Sequence, residues 1–194
     1  MTFKVSYQES FKRGLLLLRT LFGWLYILIP HCFLLFFVGI WSSILGFLAF
    51  WAILFTGSYP ESWFAFQLKF QRWTARVNAS IMNLTDAAAG YGLEASSDAV
   101  TLELERPDHI SRGLTLLRLF FGVIYVGVPH GFCLFFRAIG SSVLMFLAWW
   151  AVLFTGKYPE RWHAFNVGTS RWTMKVGFYL LNMTDSYPPF SGKE

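Results

Sequence analysis

The chain has 194 residues, of which 55% are hydrophobic, 20% aromatic and only 14% charged. Soluble domains carry about 25% charged residues, so this chain lacks the charge to coat a water-facing surface, and its formal net charge of +5 matters less than where the charges sit. The two cysteines, Cys32 and Cys133, both lie inside apolar runs, which excludes a disulfide-stapled scaffold, and the start Met1-Thr-Phe-Lys-Val-Ser-Tyr lacks the pattern of a cleaved secretory signal.

The chain repeats itself. Adding 99 to a residue number lands on its counterpart without a gap from about Phe3 to Asp86. Arg13-Gly14 maps onto Arg112-Gly113, Pro30-His31 onto Pro129-His130, Ser42-Ser43 onto Ser141-Ser142, and Phe55-Thr56-Gly57 onto Phe154-Thr155-Gly156. Tyr59-Pro60-Glu61, Arg72-Trp73-Thr74 and Thr85-Asp86 recur in the same way. This is a duplication: residues 1–86 form copy one, 87–100 a linker, and 101–190 copy two.

Each copy opens on a short alternating segment, Phe3-Lys4-Val5-Ser6-Tyr7 and Leu102-Glu103-Leu104-Glu105. Period-two alternation predicts a strand. The two segments can pair with each other, with Lys4 near the glutamates, or add to a partner's sheet, or serve as a polar lead-in without fixed structure.

From Gly14 to Thr56 the only formal charge is Arg19, and from Gly113 to Thr155 there are Arg118 and Arg137. One membrane span needs about 20 apolar residues, so each run is long enough for two crossings. The small and polar cluster Gly39-Ile40-Trp41-Ser42-Ser43 is the favoured break, giving helices near 14–38 and 43–57. A turn at Pro30-His31 is the alternative, although proline can kink a membrane helix without ending it. A hairpin that only dips into one leaflet is the other reading.

Beyond Phe-Thr-Gly-x-Tyr-Pro the period becomes amphipathic. Trp63, Phe66, Phe70, Trp73, Val77 and Ile81 recur at helical spacing over residues 61–84, while Lys69, Arg72 and Arg76 share another face. Arg171 and Lys175 hold the corresponding places in copy two. Aromatic and cationic faces on one helix predict an interfacial helix, with Lys69, Arg72, Arg76, Arg171 and Lys175 on anionic lipid headgroups. The fold expected is therefore an all-α membrane protein of two tandem helical hairpins, about four transmembrane helices, each followed by an amphipathic interfacial helix. The two copies share a topology, so their pseudo-two-fold axis should lie along the membrane normal. Thirteen of the sixteen Lys and Arg residues then fall on the side of the termini, which the positive-inside rule makes cytoplasmic.

The intramembrane polar residues are Arg19, His31, Arg118 and His130. The arginines read as interfacial anchors whose guanidinium groups snorkel, or as anion contacts in a cavity between copies. The histidines follow prolines and can donate to a freed carbonyl. Two equivalent histidines could also meet on the pseudo-axis at a metal or haem, but zinc wants three or four ligands. Cys32 has no counterpart at Gly131, so neither metal nor cofactor is expected. Every Asp and Glu lies outside the apolar runs, leaving the buried bases without an acidic partner at their depth. Asp86 and Asp185 are expected to end the amphipathic helices or to pair with Arg72 and Arg171. No phosphate loop, nucleophile elbow or metalloprotease motif occurs, so the chain does not read as an enzyme, and nothing in it suggests nucleic acid.

The strings Val128-Pro129-His130, Leu153 to Pro159, Arg171-Trp172 and Thr184-Asp185-Ser186-Tyr187-Pro188-Pro189-Phe190 resemble a bacterial membrane-protein family catalogued as a domain of unknown function and often present as tandem copies. Copy one departs after Asp86, where Ala87-Ala88-Ala89 replaces the Tyr-Pro-Pro-Phe ending. The resemblance implies a multi-pass protein of the bacterial inner membrane and carries no activity with it. The expected role is a non-catalytic subunit that scaffolds, anchors or regulates a larger membrane complex, with other subunits and anionic lipids as partners. A lipid-binding or lipid-transport accessory protein is the second reading, and a small transporter or channel the third.

Overall fold

The computed structural model describes residues 1–193. Its elements are β1 (Thr2–Val5), α1 (Arg13–Thr56), α2 (Glu61–Ile81), β2 (Val100–Glu103), α3 (Arg112–Thr155) and α4 (Glu160–Leu180). The helix boundaries of copy two repeat those of copy one at the sequence offset. The alternating lead-ins pair with each other as an antiparallel two-stranded sheet, Phe3 opposite Leu102 and Val5 opposite Val100. Those four side chains are buried, whereas Thr2, Lys4, Thr101 and Glu103 are exposed.

The expected break at Gly39–Ser43 does not occur: α1 and α3 are each continuous over 44 residues. The small and hydroxylated residues serve packing instead. Ser42 turns inward and donates to Gln67 Oε1 at 2.6 Å, while Gln67 donates back to the Ser42 carbonyl at 2.6 Å. Ser43 bonds its own helix at the Gly39 carbonyl, 2.9 Å away, so neither hydroxyl calls for a turn. A Cβ on Gly39 would sit 3.7 Å from Phe70, and one on Gly46 3.7 Å from Gln67. Both are ordinary van der Waals distances, so a methyl group would fit at either position, and the contact of α2 with α1 here rests on the Ser42–Gln67 pair.

Pro30 is absorbed rather than terminal. The helix widens to a π segment over Trp24–Leu28, where the Ile29 N–H reaches the Trp24 carbonyl, and Val123–Gly127 repeats it ahead of Pro129. One wide turn accommodates a ring that an α-helix would clash with. The helices end at Gly57 and Gly156, with φ of 77° and 73°, a left-handed cap that only glycine adopts without strain.

The hairpin of each copy is therefore formed by different arms from those expected: the long apolar helix pairs with the amphipathic one. Gln67 and Trp73 of α2 bond to α1, and Arg72 of the same helix bonds to the β2 carbonyl of Leu102 at 2.8 Å. The amphipathic helices thus form a middle layer between the apolar helices and the sheet, not a separate interfacial layer. The main core holds Phe3, Val100, Ile53, Phe64, Val152 and Phe178, and so draws on all three layers and both copies.

Candidate functional site

The two copies clasp each other reciprocally. The Phe11 N–H donates to the Gly156 carbonyl and the Ile110 N–H to the Gly57 carbonyl, each at 2.8 Å. Arg13 reaches the Phe154 carbonyl and Arg112 the Phe55 carbonyl, each at 3.0 Å. Tyr7 and its counterpart Arg106 donate to the carbonyls of Tyr158 and Tyr59. Each lead-in therefore seats on the Phe-Thr-Gly-x-Tyr-Pro turn of the other copy, which explains why that turn recurs.

The five cations assigned to headgroups on sequence are engaged within the chain. Arg72 holds β2, and Arg171 holds β1 through two bonds to the Phe3 carbonyl at 2.9 and 2.8 Å. Arg76 is buried and donates to the carbonyls of Ala89 and Gly92 at 2.8 and 3.0 Å. Burial holds its pKa below the ordinary arginine value, with Arg72 nearby adding to the effect. Lys175 reaches the Lys193 carbonyl at 2.8 Å, and Lys69 pairs with Glu94 at 2.6 Å.

The intramembrane candidates are also turned inward. Arg19 donates to the carbonyls of Thr85, Asp86 and Ala87. Arg118 lies over the Tyr179 ring at 4.0 Å and contacts Asn182 and Asp185, the latter an ion pair at 2.8 Å. An acidic partner does reach this arginine, because the chain after α4 folds back along α3. The aspartates do not pair with Arg72 and Arg171: their carboxylates accept the N–H of Lys12 and Ser111 at 2.8 and 2.7 Å. Those residues are the N-caps of α1 and α3, where an anion is favourable. Arg137 bonds Thr169 and sits 4.3 Å from the Phe165 ring.

His31 accepts from the indole N–H of Trp73 at its Nδ1, 3.0 Å away, and His130 accepts from Trp172 in the same geometry. The histidines thus act as acceptors within each copy, not as donors to a freed carbonyl or as a pair across the axis. His31 stacks on Tyr91 with centroids 4.3 Å apart, and His130 on Phe190 at 4.0 Å. Among the described residues, no group of three His, Cys, Asp or Glu is placed to hold a metal ion.

Two open grooves run beside the Ser-Ser pairs. One of about 410 Å³ is lined by Gln71, Thr74, Asn78, Ser142, Ser170 and Thr173, and one of about 700 Å³ by Gly39, Ser43, Gly46, Gln71 and Asn182. Gln71, Asn78, Ser170 and Asn182 of these grooves, and the inward bonds of Ser42 to Gln67 and Ser141 to Asn166, were not singled out in the sequence. The available signal was a run of uncharged polar residues on α2 and α4 at helical spacing.

The outer face of α1 and α3 is the other notable surface. Phe33, Phe36, Phe47, Phe55 and their counterparts Phe132, Phe135, Phe146 and Phe154 are all exposed. Both helices are long and apolar enough to cross a membrane, and only 17% of their most apolar windows is buried inside the chain. A soluble core helix would be mostly buried, so this face lacks a partner within the protein.

Residues 113–192 match a family described as a domain of unknown function (DUF4389). The match takes in α3, α4 and the Tyr187–Phe190 segment that follows. No curated protein and no solved structure matches the chain.

Proposed function

We propose that this chain is a non-catalytic, membrane-embedded subunit that scaffolds, anchors or regulates a larger complex at the cytoplasmic face of a bacterial inner membrane. One observation carries the membrane part. The exposed apolar side chains of α1 and α3 form charge-free faces, and Arg19, Arg118 and Arg137, the cations on those helices beyond their first residues, bond inward. The scaffolding part is supported by the way the interior polar groups are engaged. The guanidinium groups, the histidines and the two aspartates hold carbonyls, indoles and helix starts in place, and so build a rigid body.

Alkaline carbonate extraction followed by purification in mild detergent tests both parts. Retention in the membrane pellet and a stoichiometric protein partner are expected. A chain that purifies without such a partner defeats the scaffold reading, and release by carbonate defeats the membrane reading.

The grooves beside Ser43 and Ser142 favour a second reading, lipid binding. It requires lipid to copurify at a fixed molar ratio and to be lost when Thr74 and Thr173 are replaced by Phe.

A further inference from the structure

Large apolar side chains stay exposed on α1 from Leu17 to Phe55 and on α3 from Leu116 to Phe154. At 1.5 Å per residue this is roughly 60 Å of helix, about twice the ~30 Å hydrocarbon core of a bilayer. A helix that crossed would leave about half of that surface in water.

The helix ends give the second constraint. Each long helix runs between two clasps, one holding Phe11 to Gly156 and the other Ile110 to Gly57. The sheet lies between the clasps in the chain: β1 ends at Val5, shortly before Phe11, and β2 ends at Glu103, shortly before Ile110. If α1 and α3 crossed the bilayer, the clasps would stand on opposite sides and the sheet would lie at mid-depth. Lys4 and Glu103, both exposed, would then sit in hydrocarbon at roughly 2.5–3.5 kcal/mol for a charge on insertion scales. A two-stranded sheet also has open edges, which lipid-exposed structures do not tolerate. Two crossings per helix are excluded by the continuity of α1 through Gly39–Ser43.

We infer that α1 and α3 lie within a single leaflet, their outer faces covered by its acyl chains, with both clasps and the sheet on one aqueous side. This rests on the membrane reading above and changes its geometry from multi-pass to monotopic. The pseudo-two-fold axis, which relates the clasps through the sheet, then stands along the membrane normal. Glu9 and Asp108 are equivalent exposed residues, one at each clasp, and both face the same water.

The test uses the full chain in native membranes, with Cys32 and Cys133 replaced by Ala and single substitutions Glu9→Cys, Asp108→Cys or Ser43→Cys. A membrane-impermeant maleimide is applied to right-side-out and inside-out vesicles. Positions 9 and 108 should label from one and the same side, and position 43 should not label from the other. Labelling of 9 and 108 from opposite sides, or of 43 from the far side, overturns the inference. A photoactivatable phosphatidylcholine carrying a diazirine in its acyl chain should mark peptides of α1 and α3. Their absence among the adducts would mean that protein covers the face, and this too overturns it. Carbonate extraction keeps the two failures apart, because release defeats membrane embedding itself, whereas retention with opposite-sided labelling defeats only the single-leaflet placement.

Discussion

The hydroxyl of Tyr91 donates to the carbonyl of Tyr26 at 2.8 Å, four residues before Pro30, and Tyr187 reaches the carbonyl of Tyr125 at 3.1 Å, four before Pro129. Proline has no N–H to give a carbonyl four residues back, and the tyrosine hydroxyls donate to those carbonyls. Copy one uses a single ring for two tasks, since Tyr91 also stacks on His31 at 4.3 Å. Copy two divides them: Phe190 stacks on His130 at 4.0 Å and Tyr187 supplies the hydroxyl. The ending that copy one lacks is thereby replaced in function by Tyr91, which aligns with Phe190 at the repeat offset.

Tyr91→Phe keeps the stacked ring and removes the cap. The expected loss is about 0.5–1.5 kcal/mol, the net worth of one such hydrogen bond, with the same sign for Tyr187→Phe. Thermal unfolding in detergent measures both. An unchanged midpoint in either variant would mean that the carbonyl finds another donor without the tyrosine.

Trp73→Phe should strip His31 of its donor and cost about 1–3 kcal/mol, the penalty for an unsatisfied buried acceptor. A double-mutant cycle with His31→Ala should return a coupling of roughly 0.5–3 kcal/mol. The pairs in the two copies share no bonding partner, so Trp73→Phe and Trp172→Phe should add to within about 0.5 kcal/mol. A coupling near zero within the first pair would show that the indole–imidazole bond carries no stability.

His163 lies in α4, buried, with its ring Nε2 donating to the Leu84 carbonyl at 3.0 Å. Burial holds its pKa below the ordinary histidine value, against weaker opposing effects of the Leu84 bond and Glu160. Above pH ~6.5 both the folded and unfolded chains carry it neutral. As pH falls through ~6.5 the unfolded chain gains a proton that the folded one resists, so stability should decline toward acid, by at most ~1.4 kcal/mol per unit. Denaturant titrations between pH 5 and 7.5 should show this slope, reduced in His163→Asn. An equal slope in the variant would assign the effect elsewhere.

Replacing both Arg72 and Arg171 by Gln should release the strands from α2 and α4. Amide exchange at Phe3–Val5 and Val100–Glu103 should quicken, because the guanidinium groups bond Leu102 and Phe3 there. Flotation with anionic vesicles should be unaffected by the pair of changes. A lost preference for anionic lipid would show that these side chains also serve headgroups.

Much of the architecture was legible in advance because it follows from local pattern. The duplication, the alternating lead-ins and the amphipathic period of residues 61–84 each depend on residues close in sequence, and all reappear as elements. The Ser42-Ser43 cluster misled because the same small, polar residues suit either a turn or a tight helix contact. Gln67, 25 residues away, decides between them by taking the Ser42 hydroxyl.

The sequence by itself determined that two copies exist, that each holds a long stretch almost free of charge, and that cations share a face of the amphipathic helix. Periodicity and composition are properties of the chain alone, so no fold is needed to read them. Only the tertiary structure decided what those features meet. Arg72 and Arg171 hold the other copy's strand, and the C-terminal turn of each apolar helix is clasped by the other copy's lead-in. These partners are brought together by the exchange of segments between copies, and a spacing read within one copy cannot register it.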